Sequence, residues 1–307
     1  MYKKLFGLRE NPFNVNPDPR YLYATTHTQE ALACLTYGIQ NRKGFVLLSG
    51  EVGTGKTTLL NKLLDWLHAE RTPTAFVFNP RFNVTQFLDF MLADFGIQCE
   101  SRLKSQVLLR FNQWLLERHR AGETAVLVVD EAQNLSPQVL EEIRLLTNLE
   151  TSTEKLLQIV LAGQPEIEQK LSQPQLRQLR QRITLRCKTH PLTREETSAY
   201  VAERLRIAGC DGRTIFSPAA LDAVFTYSQG IPRVVNLLCE HALISGFVDS
   251  CKPIPATAVD EVAREFQLDE IEPTAPIAAP NGNGENLRLM EALQNLATLV
   301  DRLRRHQ

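Results

Sequence analysis

The chain of 307 residues is 43% hydrophobic and 22% charged, and its formal net charge is −1 at pH 7. This composition excludes wholesale disorder and a globally basic nucleic-acid binder, and the length allows two domains. Six cysteines lie far apart without a Cys-x-x-Cys pair, so metal-ligand spacing is absent and reduced cysteines in a cytoplasmic protein are expected. No signal peptide and no run of eighteen apolar residues is found, and we therefore expect no transmembrane segment.

Residues 1–42 are predicted to form an N-terminal strap and a first helix. Three prolines among aromatic residues and asparagines favour an extended segment over residues 1–24 rather than a helix. Apolar residues at helical spacing then predict a helix from about 28 to 40. His27 precedes this helix and could pack near an adenine base, with an ordinary cap or surface position as the alternative.

A glycine-rich loop follows the buried strand expected at residues 45–48. Residues 50–57 read Gly-Glu-Val-Gly-Thr-Gly-Lys-Thr and lead into a helix from about 56 to 70, which is the setting of a phosphate-binding loop. Glycines allow the tight turn that aims backbone N–H groups at phosphate oxygens, and the helix N-terminus adds its partial positive charge. Lys56 would reach the β- and γ-phosphates, and the Thr57 hydroxyl would ligate Mg²⁺.

The expected cofactors are therefore ATP and Mg²⁺, and the alternative is an ordinary glycine-rich turn. The loop residues predicted to bind the nucleotide are Gly50, Glu51, Val52, Gly53, Thr54, Gly55, Lys56, Thr57 and Thr58.

Buried strands alternate with helices over residues 43–190, the predicted α/β core. Further strands are expected at 75–78, 125–129 and 156–161, with a shorter fifth strand at 183–187, and helices at 84–95, 103–121 and 136–149. Continuous apolar strands of this kind indicate a parallel sheet covered on both faces. The expected fold class is a P-loop NTPase, with a three-layer α/β/α parallel sheet of about five strands followed by a small all-α lid domain.

Asp130 and Glu131 directly follow the strand at 125–129. The prediction that the protein hydrolyses ATP, and does not only bind it, rests on these two residues. An acidic residue at the end of a buried strand would hold Mg²⁺ directly or through water, which is the role predicted for Asp130. A carboxylate one position further on can polarise a water for attack on the γ-phosphorus, which is the role predicted for Glu131. In the alternative interpretation, Glu131 merely starts the next loop.

Gln164 follows the strand at 156–161. If that strand lies between the loop strand and the strand that ends at Asp130, the Gln164 amide would lie by the γ-phosphate and could hydrogen-bond the attacking water. A helix-capping or turn role before Pro165 is the alternative.

A basic cluster lies between residues 177 and 188. For most of its members we favour a solvated face or pairing with carboxylates. One arginine could instead be an arginine finger that enters the ATP site of a neighbouring subunit, with Arg182 the first choice and Arg180 the second. Phosphate contact with nucleic acid is a third interpretation. The cluster consists of Arg177, Arg180, Arg182, Arg186 and Lys188.

Residues 191–268 are predicted to form the helical lid domain, with helices at 193–207, 217–226, 233–247 and 256–266. Thr193 and Glu196 have the spacing of a capping box. The segment Gly-Ile-Pro-Arg at 230–233 opens a helix, and an arginine there opposes the helix dipole, which favours an anion partner. Arg233 is therefore predicted to sense the γ-phosphate, with an intramolecular salt bridge as the alternative.

The last part of the chain changes composition. Residues 269–286 read as a flexible linker that is too poor in large apolar residues to pack. Residues 287–307 are predicted to form a C-terminal amphipathic helix with a narrow leucine seam, which is typical of a packed or self-associating helix. Adsorption of this helix to anionic lipid is a minor alternative.

Three motifs in this order resemble those of the AAA+ ATPases: the loop at 50–57, Val-Val-Asp-Glu-Ala-Gln at 128–133, and Gly-Ile-Pro-Arg at 230–233. The aromatic and proline pattern of residues 2–19 and Ala-Gly-Gln-Pro-Glu at 162–166 resemble the general secretion pathway protein A (ExeA-type) family. Transposition-regulator ATPases share most of these motifs. The resemblance covers about residues 1–268.

The resemblance implies ATP hydrolysis with Lys56 and Thr57 on phosphate and Mg²⁺, Asp130 assisting the metal, and Glu131 activating water. It implies Gln164 and Arg233 as first and second sensors, and an arginine near 182 as the finger. It also implies a homo-oligomeric ring, commonly a hexamer, in the cytoplasm or peripheral at the inner membrane. This ring would assemble a secretion, pilus or exopolysaccharide-export system. A DNA-binding regulator of transposition and a non-hydrolysing nucleotide switch are the alternatives.

Overall fold

The structure is a computed structural model in which residues 2–78, 81–101, 103–152 and 154–268 are described. The predicted linker at 269–286 and the predicted C-terminal helix at 287–307 lie outside the described residues. The described chain divides into two compact units. The sheet unit contains residues 26–50 and 59–189, and the helical unit contains residues 2–25, 51–58 and 190–268. No helix in the described ranges combines the length and apolarity that a bilayer crossing needs.

Strands alternate with helices as far as residue 188, and helices follow from residue 194. The strands are β1 (Phe45–Ser49), β2 (Thr74–Val77), β3 (Ala125–Val129), β4 (Leu157–Gly163) and β5 (Ile183–Lys188). The helices are α1 (Tyr2–Phe6), α2 (Thr26–Gln40), α3 (Lys56–Ala69), α4 (Val84–Asp94), α5 (Lys104–Arg120), α6 (Pro137–Leu146), α7 (Glu166–Leu171), α8 (Arg177–Arg182), α9 (Arg194–Ile207), α10 (Pro218–Ser228), α11 (Pro232–Val248) and α12 (Ala256–Glu265).

The sheet unit is built on five parallel strands in the order β2-β3-β4-β1-β5. Every residue of β1, β3 and β4 is buried, as expected for inner strands covered by helices on both faces. The edge strand β5 alternates buried and exposed residues instead. The predicted parallel α/β fold is confirmed, and β4 does lie between β1 and β3.

The sheet order fixes which loops meet at one edge. Since all five strands are parallel, their carboxyl ends lie at the same edge of the sheet. The register pairs Ser49 at the end of β1 with Gly163 at the end of β4, and with Lys188 at the end of β5. The residues that follow β1, β3, β4 and β5 are therefore placed next to one another along this edge.

The helical unit buries the N-terminal segment together with α9–α12. Tyr2, Phe6 and Phe13 belong to the same core as residues of these helices. Helix α9 begins with the predicted capping box, in which the Thr193 side chain accepts from the Glu196 N–H and the Glu196 carboxylate accepts from the Thr193 N–H.

Arg204 on α9 holds the N-terminal segment in place from inside this core. The residue is 5% exposed, and its guanidinium donates to the Pro12 and Asn14 carbonyl oxygens and to the Tyr200 hydroxyl. The guanidinium carbon also lies 4.4 Å from the centroid of the Tyr21 ring. A buried arginine usually needs an acidic partner. Here, the carbonyl oxygens and aromatic rings around the guanidinium take the place of that partner.

The expectation that residues 1–24 contain no helix is wrong at residues 2–6, which form α1. Tyr2 and Phe6 are four residues apart and both are buried, so one helical turn places the two rings in the core together. Gly7, at φ 73°, ends the turn, and the Leu8 N–H donates to the Lys3 carbonyl oxygen at 2.8 Å. Beyond it, the segment has a single turn of 3₁₀ helix at Pro19–Tyr21.

Helices α7 and α8 were not predicted from the sequence. Each has six residues, which is too short for an apolar repeat to reveal a helix. The basic cluster at 177–182 is therefore helical, with Leu179 buried between exposed arginines.

Candidate functional site

The phosphate loop begins directly after β1 and ends where α3 begins at Lys56. The Lys56 residue is 6% exposed, and its Nζ donates to the Glu51 carbonyl oxygen at 2.8 Å. The Thr54 hydroxyl donates to the same oxygen at 2.7 Å. Gly53 and Gly55 have φ values of 79° and 93°, which side-chain-bearing residues rarely adopt. The loop therefore encloses an ammonium group at a helix N-terminus, which is an arrangement suited to a phosphate.

Arg233 contacts the phosphate loop within the helical unit. Its backbone N–H donates to the Gly53 carbonyl oxygen at 3.2 Å, and a Cβ placed on Gly53 would lie 2.8 Å from the Arg233 Cβ. Gly230 makes this approach possible because its φ is 74° and a Cβ there would lie 1.9 Å from the Leu192 carbonyl oxygen. The Arg233 side chain is exposed in the first turn of α11, and within the described ranges it forms no ion pair. The predicted alternative, an intramolecular salt bridge, is thus not seen in these ranges.

A second group of polar side chains lies at the carboxyl ends of β3 and β4, in the sheet unit. Gln164 Nε2 donates to Glu131 Oε2 at 3.2 Å, and Gln133 Nε2 donates to the same oxygen. The Gln164 backbone N–H donates in turn to Gln133 Oε1 at 3.1 Å. Two amides thus fix one carboxylate oxygen, which sets the orientation of the other.

Glu131 is held in a strained backbone conformation, with φ 53° in the left-handed region. Such a conformation costs a residue with a side chain about 1–2 kcal/mol, and it persists where the surroundings enforce it. Asp130, immediately before it, is 4% exposed and accepts the Glu131 N–H at 2.8 Å through Oδ1. The left-handed backbone at Glu131 ends the extended course of β3, and its side chain accepts from the two amides.

Gln133 is the residue of this group that we did not predict. Its position two residues beyond Glu131, in Asp-Glu-Ala-Gln, was the available signal. Gly163 has no side chain at the point where Gln133 passes, and a Cβ there would lie 2.8 Å from Gln133 Oε1. The missing side chain on β4 is therefore what allows Gln133 to reach both Glu131 and Gln164.

Helix α7 supports the same edge with two charged side chains. Glu168 accepts from the Ser49 hydroxyl at 2.5 Å and pairs with Lys188 at 3.1 Å, which ties together the ends of β1 and β5. Burial raises the pKa of Glu168, but the hydrogen bonds from Ser49 and Lys188 outweigh it, and the net shift is downward. Lys170 Nζ donates to the Gln133 and Leu135 carbonyl oxygens, and burial lowers the pKa of Lys170.

The remaining predicted residues lie elsewhere in the sheet unit. Arg182 is half-buried at the end of α8, and its Nη1 donates to the Thr147 hydroxyl. Arg180 is exposed and forms no hydrogen bond or ion pair within the described ranges. The His27 side chain is 58% exposed in the first turn of α2 and lies 3.5 Å from a Glu30 carboxylate oxygen. His27 is thus exposed, and its place near an adenine base stays a prediction.

Residues 39–171 match the family model described as an AAA domain. Over 248 residues, the chain is 48% identical to general secretion pathway protein A of Aeromonas hydrophila. That match covers 80% of this chain and 45% of the relative, so the chain spans less than half of the relative's length.

Two solved structures are similar in fold. The ORC2 protein of Aeropyrum pernix gives a TM-score of 0.63 at 15% identity, covering 86% of this chain and 75% of that chain. The Drosophila ORC bound to DNA gives a TM-score of 0.64 at 19% identity, covering 83% of this chain and 64% of that chain. At these identities the likeness concerns the fold alone.

Proposed function

Because the chain belongs to the AAA+ ATPases, we propose that it hydrolyses ATP with Mg²⁺ and couples the cycle to the assembly of a secretion, pilus or exopolysaccharide-export system. The observation that carries the hydrolysis is the Glu131 carboxylate held by the Gln133 and Gln164 amides. A protein that only bound nucleotide would have no need for a carboxylate in a strained, doubly hydrogen-bonded position.

The residues of the phosphate loop fit a nucleoside triphosphate. The Lys56 ammonium donates to the Glu51 carbonyl oxygen, and an anionic phosphate oxygen is a stronger acceptor for it. The Thr57 hydroxyl and the Asp130 carboxylate are oxygen ligands of the kind that Mg²⁺ prefers. When bound, ATP supplies the γ-phosphoryl group, and Mg²⁺ neutralises the charge that develops on it.

Glu131 takes the role of general base in this proposal. Both amides donate to Oε2, and Oε1 makes no hydrogen bond within the described ranges, so this oxygen can accept a proton from a water. Gln164 orients the carboxylate and serves as the first sensor. Arg233 contributes a cation beside Gly53 and serves as the second sensor. His27 keeps its proposed place near the adenine.

The Glu131→Gln variant tests the hydrolysis. It should bind a fluorescent ATP analogue as the parent does, while phosphate release falls by at least about 100-fold because the base is lost. Glu70→Gln is the matched control, since Glu70 is exposed in the same unit and the change is the same. Phosphate release by Glu131→Gln at the rate of Glu70→Gln would refute the assignment.

We propose further that subunits form a ring, commonly a hexamer in this family, and that Arg182 acts on the ATP of a neighbouring subunit. Arg182→Ala should lose activity and regain part of it when mixed with Glu131→Gln, because each subunit supplies the part that the other lacks. Arg180→Ala is tested in the same way, and Arg186→Ala controls for loss of positive charge. Absence of rescue at every mixing ratio for Arg182→Ala and Arg180→Ala would count against a finger at either position.

The proposed pathway rests on the identity to general secretion pathway protein A. We propose that the protein acts in the cytoplasm or peripherally at the inner membrane. In cells, Glu131→Gln in place of the native copy should abolish the exported protein or polysaccharide in the medium, whereas Glu70→Gln should not. Normal export with a catalytically dead Glu131→Gln protein would reject the pathway and leave the ATPase assignment standing.

One observation favours a second function, the DNA-bound regulation of transposition. Arg177 and Arg180 lie three residues apart on α8, both are exposed, and neither is paired within the described ranges. Such a face could contact two phosphates of a duplex. Fluorescence anisotropy with labelled duplex DNA and ATP should then show binding whose salt slope decreases by about 0.9 for each arginine replaced by alanine. No binding at low salt would dispose of this function.

A further inference from the structure

Helix α2 lies very close to the sheet beside β1 and β5. Gly38 makes this possible, because a Cβ at that position would lie 2.4 Å from Val46 Cγ2 and 3.1 Å from Leu185 Cδ1. Any side chain at residue 38 would push α2 away from the strands. Leu185 on β5 therefore lies directly beneath Gly38.

The chain direction then places two cysteines opposite each other. Helix α2 ends at Gln40 and β1 begins at Phe45, so α2 runs towards the amino ends of the strands, opposite to β5. Cys34 is one helical turn before Gly38, about 6 Å back along α2. Cys187 is two residues beyond Leu185, about 6.6 Å along β5 and on the same face. Both steps go in the same direction, so the two thiols meet.

The two thiols also differ in pKa and in exposure, as the two thiols of a disulfide exchange reaction do. A hydrogen bond from the Cys187 side chain lowers the pKa of the Cys34 thiol, although burial opposes this shift. Cys34 is half-buried, whereas Cys187 is 8% exposed. The Leu47 carbonyl oxygen, 3.5 Å from Cys187 Sγ, is a second acceptor for the single Cys187 S–H. The hydrogen bond with Cys34 and burial raise the pKa of the Cys187 thiol.

We propose that Cys34 and Cys187 are a modification site at which a low-molecular-weight disulfide, such as glutathione disulfide, closes an intramolecular disulfide between α2 and β5. The Cys34 thiolate attacks one sulfur of glutathione disulfide, which forms a mixed disulfide and releases one glutathione thiolate. Cys187 then loses its proton to solvent and attacks Cys34 Sγ, and the second glutathione leaves as a thiolate.

The exchange balances. Two cysteine thiols are oxidised by two electrons, one glutathione disulfide is reduced to two glutathione molecules, and the two released protons end on them. The first step also prepares the second. Once Cys34 carries glutathione, its sulfur no longer bears the negative charge that holds the Cys187 proton in place.

The cross-link would act on the end of β1. Two residues beyond Cys187, the Thr189 N–H donates to the Ser49 carbonyl oxygen at 2.9 Å. A Cβ on Gly50, the first residue of the phosphate loop, would lie 2.0 Å from Thr189 Oγ1, so the two residues leave no free space between them. A disulfide requires the two sulfurs to approach to about 2.05 Å, and the resulting shift of β5 is transmitted to Gly50.

Peptide mapping by mass spectrometry under non-reducing conditions tests the modification. The full chain is incubated with glutathione disulfide, blocked with an alkylating reagent and digested. A linked peptide containing Cys34 and Cys187 is expected, it should disappear after dithiothreitol, and it should be absent from Cys34→Ala and Cys187→Ala. The control variant Cys99→Ala, which removes another half-buried thiol, should keep it.

Two outcomes would refute the proposed modification site at Cys34 and Cys187. One is glutathione that remains on Cys34 of the parent without linkage to Cys187. The other is a parent in which both thiols are alkylated after the incubation. Circular dichroism of the variants shows whether a missing linkage reflects loss of the fold.

A titration with a fluorescent ATP analogue tests the consequence, and this part rests on the proposed function. Oxidation should weaken binding by the parent roughly tenfold, dithiothreitol should restore it, and Cys34→Ala should not respond. A linked peptide with unchanged affinity would overturn the coupling to the phosphate loop. Absence of nucleotide binding even when reduced would instead reject the proposed function, and the peptide map would remain valid.

Discussion

Replacing Gln133 by alanine is expected to slow ATP hydrolysis while leaving nucleotide binding nearly unchanged. The substitution removes the Gln133 Nε2 donor to Glu131 Oε2 and the Gln133 Oε1 acceptor of the Gln164 N–H. The Glu131 carboxylate then keeps one of its two amide donors, that of Gln164 at 3.2 Å. The loss falls on the orientation of Glu131, the proposed base, and the phosphate loop is unchanged.

The size of the effect follows from the charge of the acceptor. A hydrogen bond to a charged group contributes about 1.5–3 kcal/mol, and about 1.4 kcal/mol corresponds to a factor of ten in rate. Complete loss of orientation would thus slow the reaction roughly 10- to 150-fold. Since Gln164 still donates, we expect the lower part of this range, about 10- to 30-fold in kcat, with KM for ATP within a factor of about two.

Steady-state phosphate release over a range of ATP concentrations separates kcat from KM. Gln138→Ala is the matched control, because Gln138 is exposed in the first turn of α6, five residues further along the chain. It should behave as the parent does. A kcat for Gln133→Ala within a factor of two of that for Gln138→Ala would refute the assignment of Gln133 to the orientation of Glu131.

Three further predictions concern the stability of the protein. Gly230→Ala should lower the free energy of unfolding by more than about 2 kcal/mol, because the new methyl group would lie 1.9 Å from the Leu192 carbonyl oxygen and φ is 74°. The control Gly212→Ala, at φ 69° with nothing within 4 Å, should cost only the backbone strain. Equal losses for the two variants in urea titrations would contradict the role of the Leu192 contact. Arg204→Met should cost about 3 kcal/mol by leaving buried carbonyl oxygens without donors, whereas the surface variant Arg206→Met should cost less than about 1 kcal/mol in the same measurement. The folded-state pKa of Glu168 lies below its unfolded value of 4.5, so its charge stabilises the fold above that pH, and this contribution is lost as the pH falls through the lower folded pKa. The difference in Tm between the parent and Glu168→Gln should therefore shrink below pH 4.5. A difference in Tm that stays constant with pH would contradict the downward pKa shift.

Much of the fold could be predicted because its signals are local. The strands β1, β3 and β4 are apolar at all positions except Ser49 and Gln158, since these strands are buried on both faces. Their number and direction follow from the helices between them. Helix α1 could not be predicted, because only the core of the helical unit makes one turn at Tyr2 and Phe6 favourable. Helices α7 and α8 were too short to show a period.

The candidate functional residues also differ in how local their sequence signals are. Lys56, Asp130 and Glu131 could be proposed from the sequence because each belongs to a motif whose spacing is set by one strand and one loop. Gln133 was not proposed, although it lies two residues beyond Glu131, because its second partner is the Gln164 N–H beyond β4. Glu168 was not proposed because its partner Ser49 is on β1, and only the sheet order brings these groups together. Gly163 also contributes, because its lack of a side chain leaves room for Gln133. The sequence alone does not show which residue packs against a glycine in a strand.

The seven residues from Gln164 to Lys170 connect the loops at the carboxyl edge of the sheet. Gln164 binds the Glu131 carboxylate beyond β3, Glu168 binds Ser49 at the end of β1, and Lys170 binds the Gln133 carbonyl oxygen. All three side chains come from one segment, α7 and the turn before it, so a displacement of that segment alters all three contacts together. We therefore expect a displacement of Gln164 to reach Ser49, the residue before Gly50, through Glu168. If Gln164 is the first sensor, as proposed, this contact gives it a second connection to the start of the phosphate loop besides the nucleotide.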